Sequence, residues 1–198
     1  LRSRFVDNIS DGFDGDFIEG KISDSVITNN GGDGLDFAGS QVIVKDTYFS
    51  GMGDKAISIG EKSSVVVYNS VVRDSTIGIA SKDLSKTRIF STALIGNSIA
   101  LDARRKKPVF GGGRINVANS ILWNNKKDFN IDALSSIQLQ RVGLERREIV
   151  RGLAIDDVVV GEINRDYKDG GQAQIFFIGG ASSPFGHGTK RPVDEVTG

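Results

Sequence analysis

The chain of 198 residues has no cysteine, a single histidine, three prolines, one methionine and one tryptophan. Without cysteine it has no disulfide framework, no thiolate zinc site and no cysteine nucleophile. One histidine cannot furnish a histidine-rich metal centre. No apolar run approaches the roughly 18 residues needed to cross a bilayer, so membrane insertion is not expected. Charge of either sign is not in excess: 25 Lys and Arg stand against 25 Asp and Glu. A net charge of zero offers no bulk attraction to nucleic acid, and none is expected as a partner. The length fits one domain, or one domain with an appendage.

What the chain has in quantity is a repeat. Five polar pairs, Asp24-Ser25, Asp46-Thr47, Asn69-Ser70, Ser91-Thr92 and Asn119-Ser120, are spaced by 22, 23, 22 and 28 residues. Two positions after each hydroxyl residue stands an apolar one: Ile27, Phe49, Val72, Leu94 and Leu122. Alternating apolar pairs precede the polar pairs at Val42/Val44, Val65/Val67 and Ile115/Val117, with Thr87/Ile89 a weaker copy. A second alternation follows at Leu35/Phe37, Ile57/Ile59, Ile77/Ile79, Ile99/Leu101 and Phe129/Ile131. The phase extends back to Phe5 and to Asp11-Gly12-Phe13-Asp14.

Alternation with period two means strands. Each unit is too small to bury its own apolar face, so the units must stack. A period near 22 with two clear strands and a third short one fits one coil of a parallel β-helix. Equivalent residues then sit about 4.8 Å apart on successive coils. The Leu-x-x-Leu-x-Leu frame of a leucine-rich repeat is absent. The expected fold is all-β: a right-handed single-stranded parallel β-helix of five to six coils over residues 1–132, then a C-terminal β-rich cap and tail over 133–198.

The run Val65-Val66-Val67-Tyr68-Asn69-Ser70-Val71-Val72 followed by Ile77-Gly78-Ile79 resembles the right-handed β-helix repeat family of the pectate-lyase-like superfamily. The resemblance covers roughly residues 5–132, and with the handedness rule for parallel crossovers it implies a right-handed coil. It also implies an extracellular or cell-envelope setting and a role against polysaccharide. The chain starts in mid-coil at Leu1, without methionine, so upstream coils or an upstream domain are expected to cover that end.

Turn chemistry accounts for the Asp/Asn/Ser row and the hydroxyl row beside it as structural ladders. The glycines of Gly31-Gly32-Asp33-Gly34 and Gly51-Met52-Gly53-Asp54 are read as loop positions that need left-handed backbone. An outward row is read as Asp14, Asp36, Ser58, Gly78, Ala100 and Asn130. Asp14 and Asp36 would be stacked neighbours, with Asp33 close by. Converging carboxylates suit calcium, so Asp14, Asp36 and Asp33 are candidate ligands, and pectate lyases use calcium against acidic sugars. Two carboxylates about 5 Å apart would also suit a retaining glycosidase.

The stretch Arg104-Arg105-Lys106-Lys107-Pro108-Val109-Phe110-Gly111-Gly112-Gly113 explains the 28-residue spacing as an extended loop. Arg104, Arg105, Lys106 and Lys107, with Arg88, are the candidate residues for gripping an anionic glycan. Trp123 and Tyr48 are candidate sugar-stacking aromatics, with packing under the cap or loop as the alternative for Trp123. Asp156-Asp157, Gly186-His187-Gly188 and Lys190-Arg191 follow the polygalacturonase order, but outside the repeats and with the cationic pair too close to His187. No complete catalytic constellation can be assembled. The expectation is a non-catalytic module that binds polysaccharide, with a polysaccharide lyase or glycoside hydrolase, or a spacer or adhesin stalk, as alternatives.

Overall fold

The computed structural model describes residues 2–145 and 150–160. Within them every regular element is a strand. The first coil carries β1 (Arg4–Val6), β2 (Phe13–Asp16) and β3 (Glu19–Ser23). The second carries β4 (Val26–Thr28), β5 (Leu35–Ala38) and β6 (Gln41–Lys45), and the third β7 (Tyr48–Ser50), β8 (Lys55–Gly60) and β9 (Ser64–Tyr68). Next come β10 (Val71–Arg73), β11 (Ile77–Lys82) and β12 (Lys86–Phe90), then β13 (Ala93–Ile95) and β14 (Ile99–Arg104). A long β15 (Arg114–Trp123) spans two faces of the coil and is followed by β16 (Lys127–Ile131), β17 (Ser136–Leu144) and β18 (Leu153–Val160).

All strand pairs are parallel and link equivalent positions of successive coils. The first face stacks β2, β5, β8, β11, β14 and β16. The second stacks β3, β6, β9, β12 and the start of β15, and the third β1, β4, β7, β10, β13 and the end of β15. Inside runs a dry column in which Ile27, Phe49, Val72, Leu94 and Leu122 are completely buried, as are Leu35, Ile57, Ile79, Leu101 and Phe129 opposite them. The expected core rows are there.

The corners explain the polar repeat. Asp24, Asp46, Asn69, Ser91, Asn119 and Arg141 all have φ between 46° and 52° and turn the chain from the second face to the third. Aspartate and asparagine tolerate this left-handed conformation better than other side chains, which accounts for their recurrence. At every one of these corners but the last, where Val142 follows Arg141, the next residue carries a buried hydroxyl. Thr47 donates to the Lys45 carbonyl at 2.8 Å, and Ser70 Oγ accepts the Thr47 N–H at 3.2 Å. Thr92 and Ser120 repeat the arrangement. The row is a structural ladder, as its turn chemistry implied.

A second ladder stands at the corner from the third face to the first. Asn8 donates to Asn30 Oδ1 at 2.7 Å, and Asn97 to Asn125 Oδ1 at 3.1 Å and to the Val72 carbonyl at 3.2 Å. Ser40 and Ser63 do similar work at the remaining corner, where Ser63 Oγ accepts the Ser40 N–H at 3.0 Å. Of Gly31, Gly32, Gly34, Gly51 and Gly53, only Gly51 is left-handed, with φ of 77°. Gly31 is there for a different reason: a Cβ on it would lie 2.1 Å from the Ile9 carbonyl oxygen.

Three expectations change. The alternation on the first face is slipped by two residues in the fourth and fifth coils. Ile79 and Leu101 continue the column of Leu35 and Ile57, whereas Ile77 and Ile99 fall in the row of Lys55 and Lys127, outside the core cluster. The outward row is therefore Asp14, Asp36, Ser58, Ala80, Asp102 and Asn130, with Ala80 and Asp102 in place of Gly78 and Ala100. The large Ile77 and Ile99 side chains mimic a core pair, and the true inward partners of Ile79 and Leu101 are the small Ser81 and Ala103. Second, the parallel ladder passes residue 132: β17 pairs with β15 at an offset of 22, from Arg114 on Ser136 to Leu122 on Leu144, and β18 pairs with β17. Third, the β-rich cap expected over 133–198 begins as two further solenoid strands, β17 and β18, and 146–149 and 161–198 lie outside the described residues.

Thr87 takes a position in the apolar column between Val65 and Ile115, and its buried Oγ1 has no hydrogen-bond partner. A Thr87→Val variant exchanges that hydroxyl for a methyl group and is expected to gain about 1 kcal/mol in urea unfolding. Phe49→Ala is expected to lose about 3–5 kcal/mol in the same measurement.

A basic furrow on the second face

The first face contains the calcium candidates and disperses them. Asp14 and Asp36 are stacked in register as expected. Asp33 turns away: its Oδ1 accepts the Lys55 backbone N–H at 2.8 Å and the Lys55 ammonium at 3.2 Å, and it is 6% exposed. Lys55 also contacts Asp54. Burial raises the Asp33 carboxyl pKa, whereas the two carboxylates around Lys55 outweigh its own burial and raise the amine. The geometry favours a charged pair, because the carboxylate also accepts a backbone N–H. Among the described residues no group of three His, Cys, Asp or Glu is arranged to hold a metal. Asp33 thus does not join Asp14 and Asp36 in a ligand set.

The rest of that face is similarly self-contained. The Lys82 ammonium is buried and donates to Ser58 Oγ at 2.7 Å, and burial lowers its pKa. Asp102 is fully buried, accepts from Asn130 Nδ2 at 2.8 Å, and has Arg104 Nε 3.1 Å from its Oδ2, at ion-pair distance though out of line for a hydrogen bond.

The cationic loop is likewise tied down. Arg104 ends β14 rather than entering the loop. The backbone N–H groups of Lys106 and Lys107 both donate to Asp83 Oδ1, at 2.7 and 2.8 Å, and that of Arg105 to Asp132 Oδ2 at 2.6 Å. Lys107 pairs with Glu61. Among the described residues, Arg105 and Lys106 are the two of the four consecutive cations that make no ion pair. Arg88 is not with them; it lies on β12, on the outer side of the second face. Trp123 is half-buried above Ile95, and Tyr48 is 38% exposed on the third face. Asp156 lies in β18 over Gln140, while the glycine–histidine and cationic parts of that motif fall outside the described residues.

Strand register, rather than sequence adjacency, assembles the cations around Arg88. Lys86 is directly under Arg114, and Arg88 directly under Asn116. Ser64 precedes Lys86 in its row and Ser136 follows Arg114. Lys62, at the corner, lies 5.8 Å from the centre of the Phe110 ring, so the long loop walls one side. An open furrow follows, in two basins of about 510 and 770 Å³ that share Ser64, Lys86 and Arg114 as walls. Lys62, Lys86, Arg88 and Arg114 are exposed, and none of them makes an ion pair with a described residue. Sequence reasoning found Arg88 and missed Lys86, Arg114 and Lys62. The signal was available in the 28-residue spacing, which places Arg114 one coil above Lys86.

Parallel strands in a three-faced coil, left-handed polar corners and an apolar column define a right-handed parallel β-solenoid. A family model described as a right-handed beta helix region matches residues 9–141, and the chain belongs to that family. Comparison with curated proteins and with solved structures gave no match.

The acidic stack on the first face carries a pH signature. Burial, then Asp36, Asp16 and Asp11, raise the Asp14 pKa. A carboxyl raised in the folded state weakens the fold above its folded pKa, and the penalty disappears as pH falls past the unfolded value. Asp14→Asn is therefore expected to raise the melting temperature at pH 7 and to match the parent near pH 3, as read by calorimetry across that range.

Proposed function

We propose that this β-helix module binds anionic polysaccharide at the furrow on its second face, without catalysis. The observation that supports it is the set of four exposed cations, Lys62, Lys86, Arg88 and Arg114, around one open furrow and without described counter-charges. Hydroxyl and amide groups from Ser64, Asn116, Ser136 and Gln138 line the same surface, as sugar recognition requires. An open furrow suits a polymer entering from the side better than a small molecule that must be enclosed. The absence of catalysis is supported by the first face, where Asp33, Lys82 and Asp102 are occupied by Lys55, Ser58, Asn130 and Arg104. Acidic polymers of this kind belong to the cell exterior and envelope, which is the setting the reading implies.

Affinity electrophoresis or calorimetry with a uronic acid polymer tests the reading. The triple variant Lys86→Ala, Arg88→Ala, Arg114→Ala is expected to weaken binding about tenfold or more at low salt, at a few tenths to 1 kcal/mol per exposed cation. Arg105→Ala with Lys106→Ala, outside the furrow, is expected to change it less than about twofold. Raising the salt should weaken the parent's binding, because exposed charges are screened. Binding unaltered in the triple variant, or a parent that binds no anionic polymer, sinks the reading.

A further inference from the structure

The second face changes character from coil to coil, and the order of that change gives the furrow a direction. On β6 and β9 the middle of the face is apolar: Ile43 and Tyr68 are each 46% exposed, with Val66 half-buried between them, while Gln41 and Ser64 stand at one edge and Lys45, paired with Asp46, beside Tyr68 at the other. On β12 the outward residues include Lys86 and Arg88, on β15 Arg114 and Asn116, and on β17 Ser136, Gln138 and Gln140. Along the middle row of the face the residue type thus runs from apolar, at Ile43 and Val66, through cationic, at Arg88, to uncharged polar, at Asn116 and Gln138. Equivalent positions on neighbouring strands are about 4.8 Å apart, which is the scale of the advance per residue in an extended pyranose chain.

We propose that the face takes a linear acidic oligosaccharide lying along the solenoid axis, one sugar per coil over four coils. Two adjacent acidic sugars lie over β12 and β15, a sugar turns its apolar face to Val66 and Tyr68 over β9, and a neutral sugar meets Ser136 and Gln138 over β17. The assignment deepens the acidic-glycan reading above and rests on it. Adjacency of the two charges follows from register: Lys86 and Arg114 are direct neighbours, and the same row ends in serine on both sides, at Ser64 and Ser136. Alternating charges would call for cations on every second coil. The exposed ring of Tyr68 offers a flat apolar surface, and its row neighbour Phe90 is half-buried beside it. Nucleic acid fits poorly, because its affinity grows with each phosphate neutralised and the cation row stops after two.

Calorimetry on the full chain with uronic acid homo-oligomers of two to six sugars, and with a hexamer in which uronic and neutral sugars alternate, tests the footprint. Affinity is expected to climb about tenfold between the dimer and the tetramer and then level off, since additional sugars meet no further furrow. The block hexamer is expected to bind about fivefold tighter than the alternating one. Tyr68→Ala is expected to cost about threefold with the tetramer and nothing with the dimer, which the cations hold without it. Equal affinity for the block and alternating hexamers overturns the footprint, as does a steady climb through six sugars or a dimer affected as much as the tetramer. Furrow-dependent binding of the uronic polymer with such a pattern removes the footprint alone. No binding of the polymer removes the acidic-glycan reading as well, and a single-stranded nucleic acid that binds more tightly than the uronic hexamer assigns the face to a different partner.

Discussion

Everything in this molecule depends on the chain turning through left-handed backbone at recurring corners of the coil. A parallel ladder satisfies backbone groups only if every strand returns directly over its equivalent. Asp24, Asp46, Asn69, Ser91, Asn119 and Arg141 achieve this at one corner within a φ range of a few degrees. Such a conformation is unfavourable for most L-residues, so it must be held from outside. The buried hydroxyls and asparagine amides beside the corners hold it by tying each turn to the coil above. The apolar column then fills the space that the corners enclose.

This dependence explains what could be read from the sequence. The corner rows and the Ile27–Leu122 column were legible because the backbone conformation and the dry interior each restrict residue type. The first face was less legible. Its inward positions in the fourth and fifth coils are the small Ser81 and Ala103, and the larger Ile77 and Ile99 two positions earlier took their place in the pattern. The end of the ladder was missed for a related reason. β18 pairs with β17 at an offset of 16 rather than 22, so no fixed period reaches it.

The candidate site shows a different limit. Four consecutive cations at Arg104–Lys107 attract notice because they are adjacent in the chain, yet a solenoid gathers side chains across coils. Arg104 was drawn to Asp102, Lys107 to Glu61, and the loop backbone to Asp83 and Asp132. The furrow residues Lys86 and Arg114 are 28 positions apart, the same spacing that separates the polar pairs on either side of the loop. Arg88 could be singled out by sequence; its companions needed the register.

The first face pairs its buried charges and the second leaves its exposed cations unpaired among the described residues, and that contrast supports placing function on the second. Across the chain the charges cancel, but residues 1–75 hold 7 cations to 12 anions and residues 76–152 hold 14 to 6. In a solenoid that sequence order is order along the axis, so the acidic end and the basic middle are successive zones, joined where Lys107 pairs with Glu61. On the first face the fold nevertheless supplies partners for its buried charges, Lys55 for Asp33 and Asn130 with Arg104 for Asp102. On the second face it sets Lys86 directly under Arg114, a like-charge pair at cross-strand contact, which is unfavourable for folding. The fold departs from pairing at two places, Asp14 on Asp36 and Lys86 on Arg114, and the second of these lines the open furrow. That second departure is where binding energy is stored, because an anionic partner relieves the repulsion as it binds.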